Sequence, residues 1–235
     1  MSTAAAAPAT APESAPAADA VLAGVDPATP ADADERQPPF RQRLTEGLAA
    51  SIRERGYRET TVADIVRHAR TSRRTFYAEF PNKDECYLAL LYATNQIMRR
   101  QIEAAVDPTA PWRQQVRQAV DAYVGAVASE PEIMLSWIRE LPSLGALAHA
   151  VQREAMDSMT QMLLSLTDNE VFRRAGAGPF SPPAALLLLG GIRELTATIV
   201  EDGGDIHDLT EVATTAATAM LAPVAGQLTE NPPSL

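Results

Sequence analysis

The chain has 235 residues, 46% of them hydrophobic, which is enough to bury a real core in one or two domains. A single cysteine, Cys86, excludes an intrachain disulfide framework and a cysteine-pair metal site, and the isolated histidines His68, His149 and His207 form no visible catalytic or metal-binding cluster. The net charge of −10 argues against a nucleic-acid partner, yet residues 36–83 hold eleven bases against five acids, a local electrostatic footprint inside an acidic protein.

Residues 1–35 carry six acids, no base and five prolines, with almost nothing large enough to bury, so an unstructured tail is expected there. No lysine or arginine precedes Arg36 and no leucine-rich stretch accompanies it, so a secretory signal is not expected. The longest strongly apolar run, residues 184–189, falls far short of the roughly 20 residues of a membrane span. A cytoplasmic location without a membrane segment is the expectation.

After Pro39 the pattern is helical, with no sustained period-two alternation, so the fold class is all-α. Leu44, Leu48 and Ile52 recur every fourth residue, and Gly56 is placed to end this first helix as a left-handed C-cap. Thr61 and Asp64 form a capping-box-like pair opening a second helix, whose buried face is Ile65, Val66 and Ala69. Ser72 caps a third, short helix in which Phe76 and Phe80 share one face and Arg73, Arg74, Thr75 and Tyr77 point elsewhere. Pro81 stops it and Asn82 caps the next.

Six longer helical segments follow, near residues 83–106, 111–129, 131–141, 143–167, 182–201 and 207–226, with a loose stretch at 168–181 and a frayed end at 229–235. The domain reading is a tail at 1–35, a helix-turn-helix head at 36–83 and a larger helical domain at 84–228.

Two helices joined by a tight turn, the second short, cationic at its start and rich in hydroxyls, suit a major-groove reader. Arginine there can pair bidentately with guanine, Thr75 can meet a thymine methyl, and a tyrosine hydroxyl can reach a phosphate. The literal run Thr60-Thr61-Val62-Ala63-Asp64-Ile65-Val66, followed by Thr71-Ser72-Arg73-Arg74-Thr75-Phe76-Tyr77-Ala78-Glu79-Phe80-Pro81-Asn82-Lys83-Asp84-Glu85, resembles the TetR-family (tetracycline-repressor) signature from about Phe40 to Leu91.

The resemblance implies a three-helix DNA-binding head, a helical ligand-binding and dimerisation domain, and a repressor as the family default. Position by position, it implies that Thr61 meets the phosphate backbone, that Ser72, Arg73, Arg74 and Thr75 lie toward the groove, that Tyr77 contacts the backbone, and that Lys83 contacts phosphate. Two residues depart from the pattern: Arg70 stands where a turn glycine is usual, and Arg74 where a second small residue is common. If Arg70 adopts a positive φ it is strained.

The expected partners are double-stranded DNA carrying a palindromic operator, a second copy of the chain held through the helices near 182–201 and 207–226, and an apolar or amphipathic small molecule. Leu188, Ile192, Leu195 and Ile199, with Leu209, Ala213, Ala216 and Met220, form the expected dimer seam, and Gly190 and Gly191 suggest close backbone approach. Met98, Ile102, Tyr123, Met134, Trp137 and Met159 are the candidate ligand contacts, since soft and aromatic side chains can line an apolar cavity or equally form ordinary core. No cofactor, metal or catalytic residue is expected. A ligand-independent architectural DNA-binding protein, or a helical enzyme, stays open as an alternative.

Overall fold

The computed structural model describes residues 39–223; the expected tail at 1–35 and frayed end at 229–235 lie outside them. Among the described residues every regular element is helical. In chain order they are α1 (Phe40–Glu59), α2 (Val62–His68), α3 (Arg73–Glu79), α4 (Lys83–Ala105), α5 (Trp112–Ser129), α6 (Pro131–Arg139), α7 (Ala146–Thr167), α8 (Glu170–Arg174), α9 (Pro182–Glu201) and α10 (Leu209–Leu221), with single 3-10 turns at Leu141–Leu144 and Ile206–Asp208.

The first three helices close through their caps. Gly56 has φ +79° and ψ 165°, a non-helical conformation open to glycine, so the first helical run ends in a kink there, as expected, although outside the left-handed helical well of a standard C-cap. A further short helical stretch follows the kink to Glu59. Thr61 and Asp64 form the reciprocal capping box, and Ser72 Oγ accepts from the Thr75 N–H at 3.1 Å. Leu44, Leu48, Ile65 and Phe76 are fully buried where the three helices meet. Their closeness depends on Gly47: a Cβ there would stand 2.6 Å from the Ile65 carbonyl oxygen and 3.0 Å from the Ala69 nitrogen.

The first core cluster does not stop at the head. It continues along α4 from Cys86 to Leu91 and into Ile133 and Trp137 of α6 and Ala148, Val151 and Ala155 of α7. Two further clusters fill the larger region, one around Met98, Val124 and Met159, the other around Phe172, Phe180 and Leu188.

Several boundaries differ from expectation for local reasons. Pro142 has no N–H to continue α6, so a 3-10 turn follows, and Gly145 at φ +80° sets the delayed start of α7. The stretch 168–181 contains α8, too short for a period to show; Asn169 Oδ1 caps it by accepting from the N–H groups of Val171 (2.9 Å) and Phe172 (3.2 Å).

Helix α9 alone among the described residues is long and apolar enough, by length and composition, to cross a membrane. The short run at 184–189 understated it. It packs against α6, α7 and α10, and Glu194 and Glu201 both pair with Arg139 of α6 at 2.9 and 2.7 Å.

Candidate nucleic-acid interface and internal cavities

Helix α3 is seven residues long and is held by two wedges. Phe76 and Phe80 are buried, while Arg73, Arg74 and Tyr77 are exposed, Tyr77 by 58%. An aromatic ring left that open on a capped helix is poor core and a good contact. The Ser72 and Thr75 hydroxyls lie 3.0 Å apart, so the cap also orients Thr75. Arg41 braces the far end, its Nη1 donating to the Glu79 carbonyl at 3.1 Å and its guanidinium stacking 4.3 Å from the Phe80 ring centroid.

The turn between α2 and α3 carries the strain that its sequence implies. Arg70 has φ +49° and is the one non-glycine residue with positive φ among the described residues. The Thr71 N–H reaches back to the Val66 carbonyl at 3.0 Å, and Arg43 Nη2 donates to the carbonyls of Ala69 (2.6 Å) and Arg70 (3.0 Å). Arginine thus occupies a glycine-like corner, and another arginine satisfies the carbonyls it leaves open.

Two residues of the set are engaged inside the protein. Thr61 is exposed, but its hydroxyl donates to Asp64 Oδ2 at 2.6 Å, and its hydroxyl and N–H together hold the Asp64 carboxyl below the usual carboxylate range. Lys83 Nζ donates to the carbonyls of Tyr57 (2.9 Å) and Thr60 (3.0 Å) and lies 4.2 Å from the Tyr57 ring centroid. Burial holds its ammonium below the ordinary lysine range, against the pull of Asp84. The start of α4 is thereby tied to the end of α1.

The family model described as bacterial regulatory proteins, tetR family, matches residues 44–90, from the buried Leu44 of α1 to Leu90 of α4. The matched segment, the helix-turn-helix head, is similar to that of the TetR family. A curated relative from Bacillus subtilis (strain 168), the uncharacterized HTH-type transcriptional regulator YhgD, is 20% identical over 142 residues, 60% of this chain and 72% of that one. Among solved structures, the fatty acid degradation regulator FadR from Bacillus halodurans matches with a TM-score of 0.63 at 16% identity, over 81% of this chain and 99% of that one. FadR from Bacillus subtilis, solved in complex with stearoyl-CoA, matches with a TM-score of 0.65 at 15% identity, over 78% and 98%. These likenesses show the fold of the chain beyond its head.

Two cavities, each of about 70 Å³, lie inside the larger region of this protein. Ile102 lines the first and Met98, Met134 and Trp137 line the second, while Tyr123 and Met159 line both, so all six candidate ligand contacts face one or the other. Polar side chains around the first cavity are occupied elsewhere: Gln115 Nε2 donates to the Ala110 carbonyl at 2.8 Å, the Thr167 hydroxyl to the Leu163 carbonyl at 2.8 Å, and the Tyr123 hydroxyl lies 2.9 Å from that of Thr196. What remains facing the space is hydrocarbon.

Sequence reasoning missed Arg193, which lines the second cavity from the middle of α9. A lone cation inside an apolar helical run was the available signal. It also missed the contacts around α6, because they join residues far apart in the chain. Arg53 of α1 pairs with Glu130 at one end of α6 (2.7 Å), and Arg58 pairs with Glu140 at the other (2.6 Å). The opposite face of the same helix presents Met134, Trp137 and Ile138 to the second cavity.

Cys86 is fully buried, and burial pushes its thiol up to about 12, which keeps it a core residue and not a reactive thiolate.

Proposed function

We propose that this protein is a homodimeric repressor whose two heads grip a palindromic operator and release it when an apolar or amphipathic small molecule enters the internal cavities. The head is taken as residues 36–83 and the ligand-binding and dimerisation domain as 84–228. The observation that carries the reading is the outward set Arg73, Arg74, Thr75 and Tyr77 on a short helix pinned by buried Phe76 and Phe80. Ser72 positions that set, Thr61 brings the N-terminus of α2 toward phosphate, and Lys83 supports the same edge through its carbonyl bonds, which it must release to touch phosphate itself.

A second copy is supported by the open faces of α9 and α10. Leu186, Leu187 and Leu195 are exposed by 52%, 71% and 41%, and Val212 and Met220 by 55% and 37%. Exposed apolar side chains on two helices packed against each other suit an isologous interface. The seam expected from sequence is shifted: Leu188, Leu209 and Ala213 are buried within the subunit and Ile192 lines both cavities, so of the α9 series Leu195 alone is exposed. Helix α9 is apolar on nearly every side, and the period of such a helix does not say which stripe faces the partner. Gly190 and Gly191 have nothing within 4 Å of a built Cβ inside the chain, so any close approach there belongs to a partner.

The effector reading draws support from the cavities, from α6 standing between them and the head, and from the amphiphile held by the B. subtilis structural relative. Its test is release of DNA. A duplex selected from random sequence should be bound with two-fold symmetric protection and steep salt dependence. A compound that raises the melting temperature should lower affinity for that duplex in proportion to its preference for the DNA-free state. Protection of a single half-site, or stabilising compounds that leave DNA binding unchanged, would overturn the reading in its dimer or its effector part respectively.

A further inference from the structure

The second cavity is not uniformly apolar, and the exception is a charge. Arg193 enters it half-buried from α9, and its Nε is shut away from solvent without a hydrogen-bond acceptor. Its Nη2 reaches the carbonyls of Trp137 and Ile138 only at 3.5 and 3.4 Å. With the Gln152 amide turned so that its oxygen faces the guanidinium, Nη1 has one short bond, at 2.7 Å. Among the described residues Arg193 forms no ion pair: the adjacent Glu194 acts on it only through space, because its carboxylate is held by Arg139, which also pairs with Glu201.

A guanidinium does not discharge at any accessible pH, so burial cannot be relieved by losing the proton. Burial pulls its pKa down without neutralising it. The cost of a partly desolvated cation hydrogen-bonded only to neutral partners is relieved by a counter-charge, and an unpaired Nε beside an Nη is the fork that a planar carboxylate fills bidentately once the guanidinium turns from its present packing.

The rest of the space has the opposite preference. Tyr123, Met159, Leu189 and Ile192 line both cavities, so the two are neighbouring chambers behind one shared wall, and the chamber farther from Arg193 presents only hydrocarbon. At about 70 Å³ each they are closed down relative to a pocket for a small molecule, typically roughly 300 to 1,000 Å³. The wall between and around them is rich in methionine, Met98, Met134, Met156, Met159 and Met162, whose unbranched side chains can repack to open it.

We propose that the effector is an aliphatic carboxylate, its headgroup anchored by Arg193 with Asn95 as a second donor in the same chamber, and its chain running past Tyr123 and Met159 into the apolar chamber. This rests on the reading of the cavities as the effector site and deepens it. The headgroup takes Nε and Nη of Arg193, and the guanidinium gives up its long bonds to the carbonyls at the end of α6.

Calorimetric titration of the full chain, free of DNA, tests the assignment with decanoate and hexadecanoate against decanol and methyl decanoate. Decanoate should bind at least about tenfold more tightly than the two neutral probes, as a charge-assisted bidentate pair requires. Arg193→Gln should remove that preference while leaving the affinity for decanol unchanged, and Arg193→Lys should restore part of it. Ala119→Phe, which fills the far chamber and leaves the anchor intact, should exclude hexadecanoate while still admitting decanoate. Should Arg193→Gln fail to fold by circular dichroism, the acid-over-alcohol preference of the wild-type protein and the chain-length cut of Ala119→Phe decide. Equal binding of decanol and decanoate, a preference that survives Arg193→Gln, or no carboxylate binding below millimolar concentration would each overturn the proposal. Carboxylate binding through Arg193 that leaves the DNA complex intact would instead overturn the effector reading and leave the site standing.

Discussion

The head and the region behind it present their candidate functional side chains in opposite ways. In the head, Arg73, Arg74 and Tyr77 stand outward on a helix whose caps, wedges and turn bonds are all satisfied. In the larger region, Tyr123, Met134, Trp137 and Met159 turn inward around two small chambers, and the buried cation among them is short of acceptors. A rigid outward frame suits recognition of a partner whose shape is known in advance. A collapsible methionine-lined interior suits a switch, since a ligand must create part of its own site and so favours one state over another. The two are joined physically, because the first core cluster runs unbroken from α1 into α6 and α7, and Arg53 and Arg58 hold the two ends of α6.

The largest expected effect tests the open faces of α9 and α10. Leu187→Glu with Leu195→Glu places two charges on exposed positions that make no use of the subunit's own core, so the chain should fold and fail to dimerise. Each anchor of such an interface is worth about 2 kcal/mol or more, and operator affinity should fall with it although the head is untouched. Ile192→Glu is the contrast: it lines both chambers and should lower the melting temperature of the subunit itself. Sedimentation equilibrium separates the two, and a Leu187→Glu, Leu195→Glu protein that remains dimeric would remove these helices from the interface.

Gly47→Ala comes next. Its new methyl would meet backbone at 2.6 Å, the Ile65 carbonyl oxygen, which cannot rotate away as a side-chain tip can. Overpacking of that kind costs about 1 to 3 kcal/mol, and thermal denaturation should show it. Gly190→Ala meets nothing inside the chain and should be neutral or slightly stabilising for the isolated subunit, about 1 kcal/mol at most on helix propensity. If Gly190→Ala weakens the dimer, the close approach belongs to the partner.

These two glycines show what was legible in the sequence and what was not. The caps at Thr61, Ser72 and Asn82, the wedges Phe76 and Phe80, and the strain at Arg70 are local, decided within four residues, and they appear in the structure where their spacing put them. Gly47 was invisible because its constraint comes from Ile65 and Ala69 on the next helix. The inward turn of Leu188 and the outward turn of Leu187 were invisible for a related reason: on a helix apolar all round, packing partners choose the face. Arg193 and the clamps on α6 join residues more than fifty positions apart.

Arg73→Ala and Arg74→Ala sharpen the outward half of the comparison. A bidentate contact to guanine is worth about 1 to 3 kcal/mol of discrimination, so each substitution should relax preference at one base position and leave the melting temperature unchanged. Competition between selected and mismatched duplexes in a gel-shift assay measures it. A double Arg73→Ala, Arg74→Ala protein with unaltered sequence preference would take α3 out of the groove.

The smallest effect is at Arg70, where stability and binding pull apart. At φ +49° its side chain costs roughly 1 to 2 kcal/mol relative to glycine in the folded state, whereas glycine costs roughly 0.5 to 1 kcal/mol more to order from the unfolded chain. Arg70→Gly should therefore stabilise the head by a few tenths to about 1 kcal/mol, and the carbonyl bonds from Arg43 to Ala69 and Arg70 need not change, since they use backbone. Arg70→Ala keeps the unfavourable φ and should give no such gain. Both remove an exposed cation from the turn that leads into α3, so both should lower operator affinity uniformly across sequences and reduce the salt slope by about one. A rise in melting temperature shared by Arg70→Gly and Arg70→Ala would assign the effect to charge instead of conformation. A gain confined to Arg70→Gly, with the salt slope reduced in both, would show that the chain accepts a strained corner at the recognition turn in exchange for a phosphate contact.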